Sequence, residues 1–248
     1  MGSIGKIKAI FATAWHMAIY VAAGGFLILI ALWTYGLGHT VNKEEKLKKL
    51  PGDDLLKAND PKLRYEAAIT INATKEKVWP YLVQLGQRRA GFYSFSWLER
   101  LFTFHIYNTY TIVDEWQDMH AGDYIFYHQN GIGSEVKEVK SGEYFTTLSD
   151  TRNPSQVQGA IAFKAPFKLE HFAYTWNFFL FDAGQGKTRF MTRCDCTFAP
   201  FTAWRKWLLI LLFGTPSFVM GRRMFDVIKK CAEGSMKEPG QWLRKAFS

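Results

Sequence analysis

Histidines and cysteines are the side chains here most able to catalyse a reaction or bind a metal, and their spacing favours neither role. His105, His120, His128 and His171 are scattered and form no cluster with carboxylates at metal-ligand spacing. The sequence has no glycine-rich phosphate loop and no nucleophile elbow G-x-S-x-G. We therefore predict no catalytic residue set, no metal site and no cofactor.

The three cysteines, Cys194, Cys196 and Cys231, are predicted to be reduced. Cys194 and Cys196 are alternate residues of a predicted strand, so their side chains lie too far apart along one face for a disulfide. Two close cysteines without a nearby histidine also leave a zinc ion short of ligands. Buried free thiols are typical of a reducing compartment.

Alternating residue types on three predicted strands indicate an apolar inner surface with a few polar groups. In residues 187–198, Arg189, Arg193 and Asp195 share one face, so the opposite face should point inward. A pocket lined in this way suits a lipid or a quinone-like molecule; the alternative is that these side chains only fill the core. The candidate ligand-binding residues are Trp97, Tyr124, Phe126, His128, Tyr174, Trp176, Phe190, Thr192, Cys194 and Phe218.

A long apolar segment precedes these strands. Residues 9–42 contain no Asp, Glu, Lys or Arg, and the core of this segment would form about 40 Å of helix, enough to cross a bilayer. It is too long for the apolar region of a cleaved signal peptide. We predict a single-pass transmembrane anchor over residues 1–38, followed over residues 39–61 by a linker that lifts the domain off the membrane.

Basic residues around the anchor predict its orientation. Four lysines lie within residues 43–49, whereas two, Lys6 and Lys8, precede the apolar segment, so the positive-inside rule places the following domain in the cytoplasm. Ala14, Ala18 and Ala22 form a stripe of small residues that could contact a transmembrane partner or a second copy of the chain.

A second apolar run lies near the C-terminus, beside most of the excess positive charge. The net charge is +9, and residues 201–248 hold 9 basic and 3 acidic residues. Because the middle of the chain is nearly neutral, nucleic-acid binding is not expected. The run is too short to span a bilayer, so we predict contact with an anionic membrane surface, the alternative being a core helix. The predicted membrane-contact residues are Trp207, Leu208, Leu209, Leu211, Leu212, Phe213, Arg222 and Arg223. The tail from Trp242 to Phe247 again places apolar and basic residues side by side, which predicts a similar membrane contact.

The remaining pattern predicts an α+β domain over residues 62–234 and a basic tail over 235–248. Helices are predicted over 75–85, 94–104 and 215–233, the last with an apolar stripe. Seven short runs alternate between apolar and polar residues or are rich in aromatic and β-branched residues. The predicted strands are 64–72, 110–115, 123–128, 135–140, 144–149, 171–182 and 187–198.

Several stretches resemble the START/Bet v1-like superfamily, also called SRPBCC proteins, and its bacterial branch most closely. They are residues 70–86, residues 89–99, Gly122-Asp123 and residues 218–224. The resemblance covers about residues 62–234, is most specific in its first thirty residues, and the anchor is an addition to it. It implies the helix-grip fold, in which a seven-stranded antiparallel sheet wraps a long C-terminal helix around a hydrophobic cavity. The family has no universal catalytic set to transfer.

The anchor, the implied cavity and the basic, apolar C-terminus together favour one function. They predict a membrane-tethered protein that binds or transfers a hydrophobic small molecule such as a lipid, an isoprenoid or a quinone. One alternative is a polyketide cyclase-like enzyme, which needs convergent polar groups inside the same cavity. The other is an accessory subunit of a membrane protein complex. The expected partners are membrane lipids and the hydrophobic ligand.

Overall fold

The computed structural model describes residues 2–57, 62–163 and 168–236, with side chains from residue 13 onward. The tail from Trp242 to Phe247 lies outside these ranges.

The first element is α1 (Gly2–Gly36), a 35-residue helix that leaves large apolar side chains such as Tyr20, Val21 and Leu27 more than 60% exposed. Its segment Thr13–Gly36 is long and apolar enough to cross a membrane. Such a surface needs an apolar covering.

The domain that follows is a sheet with helices at its first crossover and at its end. The strands are β1 (Leu63–Ile71), β2 (Tyr124–Phe126), β3 (Ile132–Lys140), β4 (Tyr144–Asp150), β5 (Ile161–Ala162), β6 (His171–Asp182) and β7 (Thr188–Ala199). The helices are α2 (Lys43–Leu47), α3 (Lys75–Val83), α4 (Ser96–Leu101), α5 (Ala203–Leu209) and α6 (Thr215–Ala232). A π-helical turn, Ile210–Gly214, joins α5 to α6 in one continuous helical stretch.

The seven strands form one sheet in the order β1-β7-β6-β4-β3-β2, antiparallel throughout, with β5 added parallel to β3. Helices α3 and α6 lie on the inner face, where the rings of Phe190 on β7 and Phe225 on α6 are 4.5 Å apart. A long C-terminal helix held against the concave face of such a sheet is the helix-grip arrangement, and the predicted α+β fold class is confirmed.

Because neighbouring strands alternate in direction, six strand ends meet at one end of the sheet. They are Leu63, Phe126, Ile132, Asp150, His171 and Ala199. Helix α5 follows β7 directly, so we call this the α5 end. The C-terminal part of α6 lies at the opposite end, where Lys229 Nζ donates a hydrogen bond of 2.8 Å to the carbonyl of Thr70.

The last turns of α1 pack on α6 beside β1. Trp33 Nε1 donates to Thr215 Oγ1 over 2.7 Å, and its ring meets Phe218 edge-on. At Gly36 the two helices approach so closely that an added Cβ would lie 2.7 Å from Phe218 Cβ and 2.9 Å from its backbone carbon. Only glycine allows this approach, since any Cβ there would force the helices apart.

Contacts beyond Gly36 extend the same interface and define its direction. Arg222 donates to the carbonyl of Tyr35, and His39 Nε2 lies 2.9 Å from Asp226 Oδ1. Residues 33 to 39, at the end of α1 and just after it, thus contact residues 215 to 226 of α6, and later residues of one segment contact later residues of the other. The two helices are therefore parallel, and the N-terminal part of α1 projects past the α5 end of the domain.

Residues 41–57, within the predicted linker, pack on the outer face of the sheet and do not act as a free spacer. Val41 and Leu50 join Phe179 and Met191 in a small apolar cluster. The guanidinium of Arg193 is fully buried beneath the segment. It donates to Glu66, Asp53 and the backbone carbonyls of Glu45 and Lys48, over 2.6–3.0 Å. A buried guanidinium needs such a set of acceptors because its desolvation is costly.

The predicted strand over 110–115 is wrong, and a buried glutamine explains the difference. Gln84 Nε2 donates to the carbonyl of Thr111, and Gln84 Oε1 accepts from the backbone N–H of Val113. These bonds satisfy the backbone groups that a strand would use, and the segment ends in a 3-10 turn, Asp114–Trp116. The seventh strand is instead β5.

Asp53→Ala should destabilise the domain because it removes a carboxylate partner from the buried Arg193. We expect a loss of about 3 kcal/mol, the lower limit for breaking a buried pair since Glu66 remains. The melting temperature measured in detergent should then fall by roughly 6–12 °C. Lys49→Ala is the matched control, because its pair with Asp54 is exposed and should contribute nothing measurable. Equal melting temperatures for the two variants would contradict this account of the segment.

Candidate functional site

A row of partly exposed side chains crosses the middle of the inner face, between two packed apolar clusters. The row consists of Tyr65 on β1, Cys194 on β7, Trp176 and Tyr174 on β6, and Tyr127 just after β2. We call these residues the central row. Phe178, Phe190 and Phe225 belong to the cluster on one side, and Phe172, Phe198 and Leu209 to that at the α5 end. Tyr65, Trp176 and Tyr127 also pack against the first cluster and Tyr174 against the second, so the row joins the two clusters and is less completely buried than either.

Strand register and ring contacts hold the central row together. Cys194 pairs with both Tyr65 and Trp176 across the sheet. The ring of Tyr127 is 6.0 Å from those of Tyr174 and Trp176. Phe218 of α6 stacks on Tyr65 with centroids 4.4 Å apart, so the row lies opposite the part of α6 that α1 contacts.

Hydroxyl groups gather at one side of the central row. The hydroxyl of Tyr127 faces those of Ser134, Tyr174 and Thr147, and neither Tyr127 nor Ser134 forms a well-directed hydrogen bond from its buried oxygen. Burial raises the pKa of Tyr127 to about 12, and burial also raises the pKa of Tyr174 well above its ordinary value. Both phenols therefore stay protonated at physiological pH and act as hydrogen-bond donors or acceptors in apolar surroundings.

Four of the predicted ligand-binding residues lie at this place. Tyr174, Trp176 and Cys194 belong to the central row, and Phe218 covers it from α6. Burial raises the pKa of the Cys194 thiol, so it stays neutral. Phe190 and Thr192 also point inward, as the alternation predicted, but they are at most 2% exposed and belong to the closed packing of the sheet.

The other four predicted ligand residues lie elsewhere. Trp97 is 60% exposed on the surface of α4. On β2 the predicted phase is wrong: Ile125 and Tyr127 face the core, whereas Tyr124, Phe126 and His128 lie on the opposite face. Tyr124 donates to the carbonyl of Ile161, Arg88 lies over Phe126, and His128 contacts Phe104. A three-residue strand is too short for alternation to define its phase.

Sequence reasoning missed part of the central row. Tyr65 was recognisable, because it begins the alternating pattern of β1. Tyr127, Ser134 and Thr147 carried no local signal, since the turn after β2 and strands β3 and β4 bring their hydroxyls together. A surface hollow of about 330 Å³ at the opposite end, beside Trp79, Met119 and His120, contains none of the predicted ligand residues.

The predicted membrane-contact residues divide between two faces of the helical stretch after β7. Trp207, Leu211 and Leu212 are 44–62% exposed, and Leu208 is partly exposed. Leu209 and Phe213, four residues apart, instead pack into the protein against Phe198 and Phe163. Arg222 holds the end of α1, and Arg223 lies over Phe95. The stretch Ala203–Ala232 also meets the length and hydropathy expected of a membrane span, but its inner side is part of the core.

No family model matches the sequence, and no curated protein is similar to it. The comparison with solved structures does find matches, at low sequence identity. Norcoclaurine synthase from Thalictrum flavum, in complex with dopamine and hydroxybenzaldehyde, is 10% identical; 77% of this chain and 98% of that chain are aligned, with a TM-score of 0.38.

Two further structures are similar to the same degree. A hypothetical protein from Helicobacter pylori is 11% identical over 78% of this chain and 98% of its own, with a TM-score of 0.38. Ara h 8.0201 is 10% identical over 70% of this chain and 99% of its own, with a TM-score of 0.35. Similarities this distant say nothing about ligand or activity, and the fold assignment depends on the strand order and the packing of α6 described above.

Proposed function

We propose that this protein is a membrane-tethered binding or transfer protein for a hydrophobic small molecule, in a membrane-anchored branch of the START/Bet v1-like superfamily. The observation that carries the proposal is the central row, where partly exposed aromatic side chains and a neutral thiol meet a group of hydroxyls beneath α6. An apolar site with a few convergent polar groups is the usual form of a small-molecule pocket.

The chemistry of the central row defines the ligand class. Tyr65, Trp176 and Phe218 offer ring faces to an apolar body. The hydroxyls of Tyr127, Ser134 and Tyr174 would bind one oxygen-bearing group of the ligand, such as a carbonyl or a hydroxyl. A lipid, isoprenoid or quinone-like molecule combines these two parts. Because the phenols remain protonated, their role in this proposal is to orient the ligand.

The tether supports a route for such a ligand. In our proposal α1 crosses the bilayer, because its exposed apolar surface has no other covering in the described chain. Since α1 projects past the α5 end, that end would face the lipid. Trp207, Leu211 and Leu212 would then contact the membrane, and an apolar molecule entering from the bilayer would have to displace the cluster of Phe172, Phe198 and Leu209 to reach the site.

Native mass spectrometry of the detergent-extracted protein should reveal a bound apolar molecule. Tyr127→Phe and Tyr174→Phe each remove one hydroxyl, and we expect each to weaken retention by about 1 kcal/mol, or roughly fivefold. Thr197→Val is the matched control, because it removes a buried hydroxyl from the outer face of β7.

Two results would change the proposal. Absence of any apolar ligand, together with equal behaviour of all three variants, would contradict it. Chemical conversion of the bound molecule, lost in Tyr127→Phe while binding persists, would favour the polyketide cyclase-like enzyme.

We further propose that the domain lies on the cytoplasmic side, because four lysines follow α1 within residues 43–49 and two, Lys6 and Lys8, lie in its first turns before the apolar segment. Leu47 on α2 is 87% exposed and gives a reporter of this orientation. A membrane-impermeant maleimide should label Leu47→Cys in sealed inside-out vesicles and leave it unlabelled in right-side-out vesicles, with the unaltered chain as the blank. The reverse pattern would place the domain on the other side.

A further inference from the structure

Helix α4 and the turn after it expose three large apolar side chains that the proposed ligand site does not use. Trp97, Leu101 and Phe102 are 60%, 69% and 64% exposed. Trp97 and Leu101 are four residues apart, so they share one side of the helix. Together they form an apolar patch, which we call the α4 patch, larger than the single exposed residues that are common on protein surfaces.

The charge around the α4 patch is positive. Glu99 is the one acidic residue of α4, and it is turned inward: it is 3% exposed, accepts a hydrogen bond from Ser94, and its pKa is raised by burial. Arg100 lies on the outer side over the ring of Tyr107. Arg223 of α6 lies over the ring of Phe95, immediately before α4. An apolar patch with arginines beside it and its carboxyl group hidden matches an anionic lipid surface.

The α4 patch lies at the α5 end of the sheet. Gln129, in the turn between β2 and β3, donates from Nε2 to the carbonyl of Thr103 over 2.8 Å and accepts from the backbone N–H of His105. The ring of Phe104 is 4.8 Å from that of His128 in the same turn. The end of α4 is thereby fixed to the sheet end past which α1 projects and from which α5 begins.

We infer that the α4 patch is a third membrane contact, beside α1 and α5, in which Trp97, Leu101 and Phe102 enter the lipid interface and Arg100 and Arg223 face anionic headgroups. The inference rests on the proposed tether by α1 and is independent of the ligand. It gives Trp97 a role different from the ligand contact that the sequence predicted. Helices α1, α4 and α5 then all touch lipid at the α5 end of the domain.

Site-specific fluorescence in the full chain tests this contact. Single cysteines at Leu101→Cys, Val21→Cys and Leu47→Cys carry the environment-sensitive dye NBD, and the unaltered chain gives the labelling background. The protein is reconstituted in phosphatidylcholine vesicles with and without phosphatidylglycerol, containing lipids spin-labelled at shallow or deep chain positions. We expect shallow quenching and a blue-shifted emission at position 101, stronger with phosphatidylglycerol, deep quenching at 21, and neither effect at 47.

The three positions separate the possible failures. Quenching at 21 combined with a signal at 101 equal to that at 47 would overturn the α4 contact and leave the tether intact. Absence of quenching at 21 would overturn both. Shielding of position 101 that depends on protein concentration and not on lipid would show that a second copy of the chain covers the patch, which also contradicts the inference.

Discussion

The close packing of the end of α1 on the first half of α6 is the constraint on which the rest of the arrangement depends. Gly36 allows the helices to approach, the hydrogen bond from Trp33 to Thr215 orients them, and Arg222 binds the carbonyl of Tyr35. Residues 41–57 then hold the following chain to the outer face of the sheet through buried Arg193. A domain held by α6 on one side and by the outer face of the sheet on the other has little freedom to turn about α1. Its α5 end therefore has a fixed relation to the direction of α1.

This orientation links the interior to the surface. Phe218 takes part in the α1 contact through Trp33 and covers the central row through Tyr65. Phe218 thus connects α1 to the proposed ligand site, and a shift of α1 would move a side chain that covers the central row. The π-helical turn Ile210–Gly214 lies just before Thr215, and such turns often occur where a helix must adapt to function. The proposed ligand binding and the proposed membrane attachment would in this way depend on one another.

The sequence predicted the long elements well and the contacts between distant segments poorly. Strand β6 was predicted with its observed limits, 171–182, because twelve residues define an alternation and its phase. Strand β2 has three residues and was assigned the wrong face, and β5 has two and depends on pairing with β3. The segment 110–115 forms no strand because Gln84, about 27 residues earlier, binds its backbone. Arg193 was assigned to the outer face of the sheet, and nothing nearby in the sequence indicated that it would be buried there. Its partner Asp53 lies 140 positions away. Local patterns carry no information about such pairs.

Disulfide trapping in native membranes tests the α1–α6 contact most directly. A Cβ at Gly36 lies 2.7 Å from Phe218 Cβ, so Gly36→Cys with Phe218→Cys can reach disulfide geometry after a shift of about 1 Å. The control pairs Phe218→Cys with Gly25→Cys, where an added Cβ meets nothing within 4 Å. After mild oxidation and proteolysis, mass spectrometry should find the linked peptides for the pair 36–218 and not for the pair 25–218. Linkage of the pair 25–218 as strong as that of the pair 36–218 would show that the domain is not held against α1 in this way.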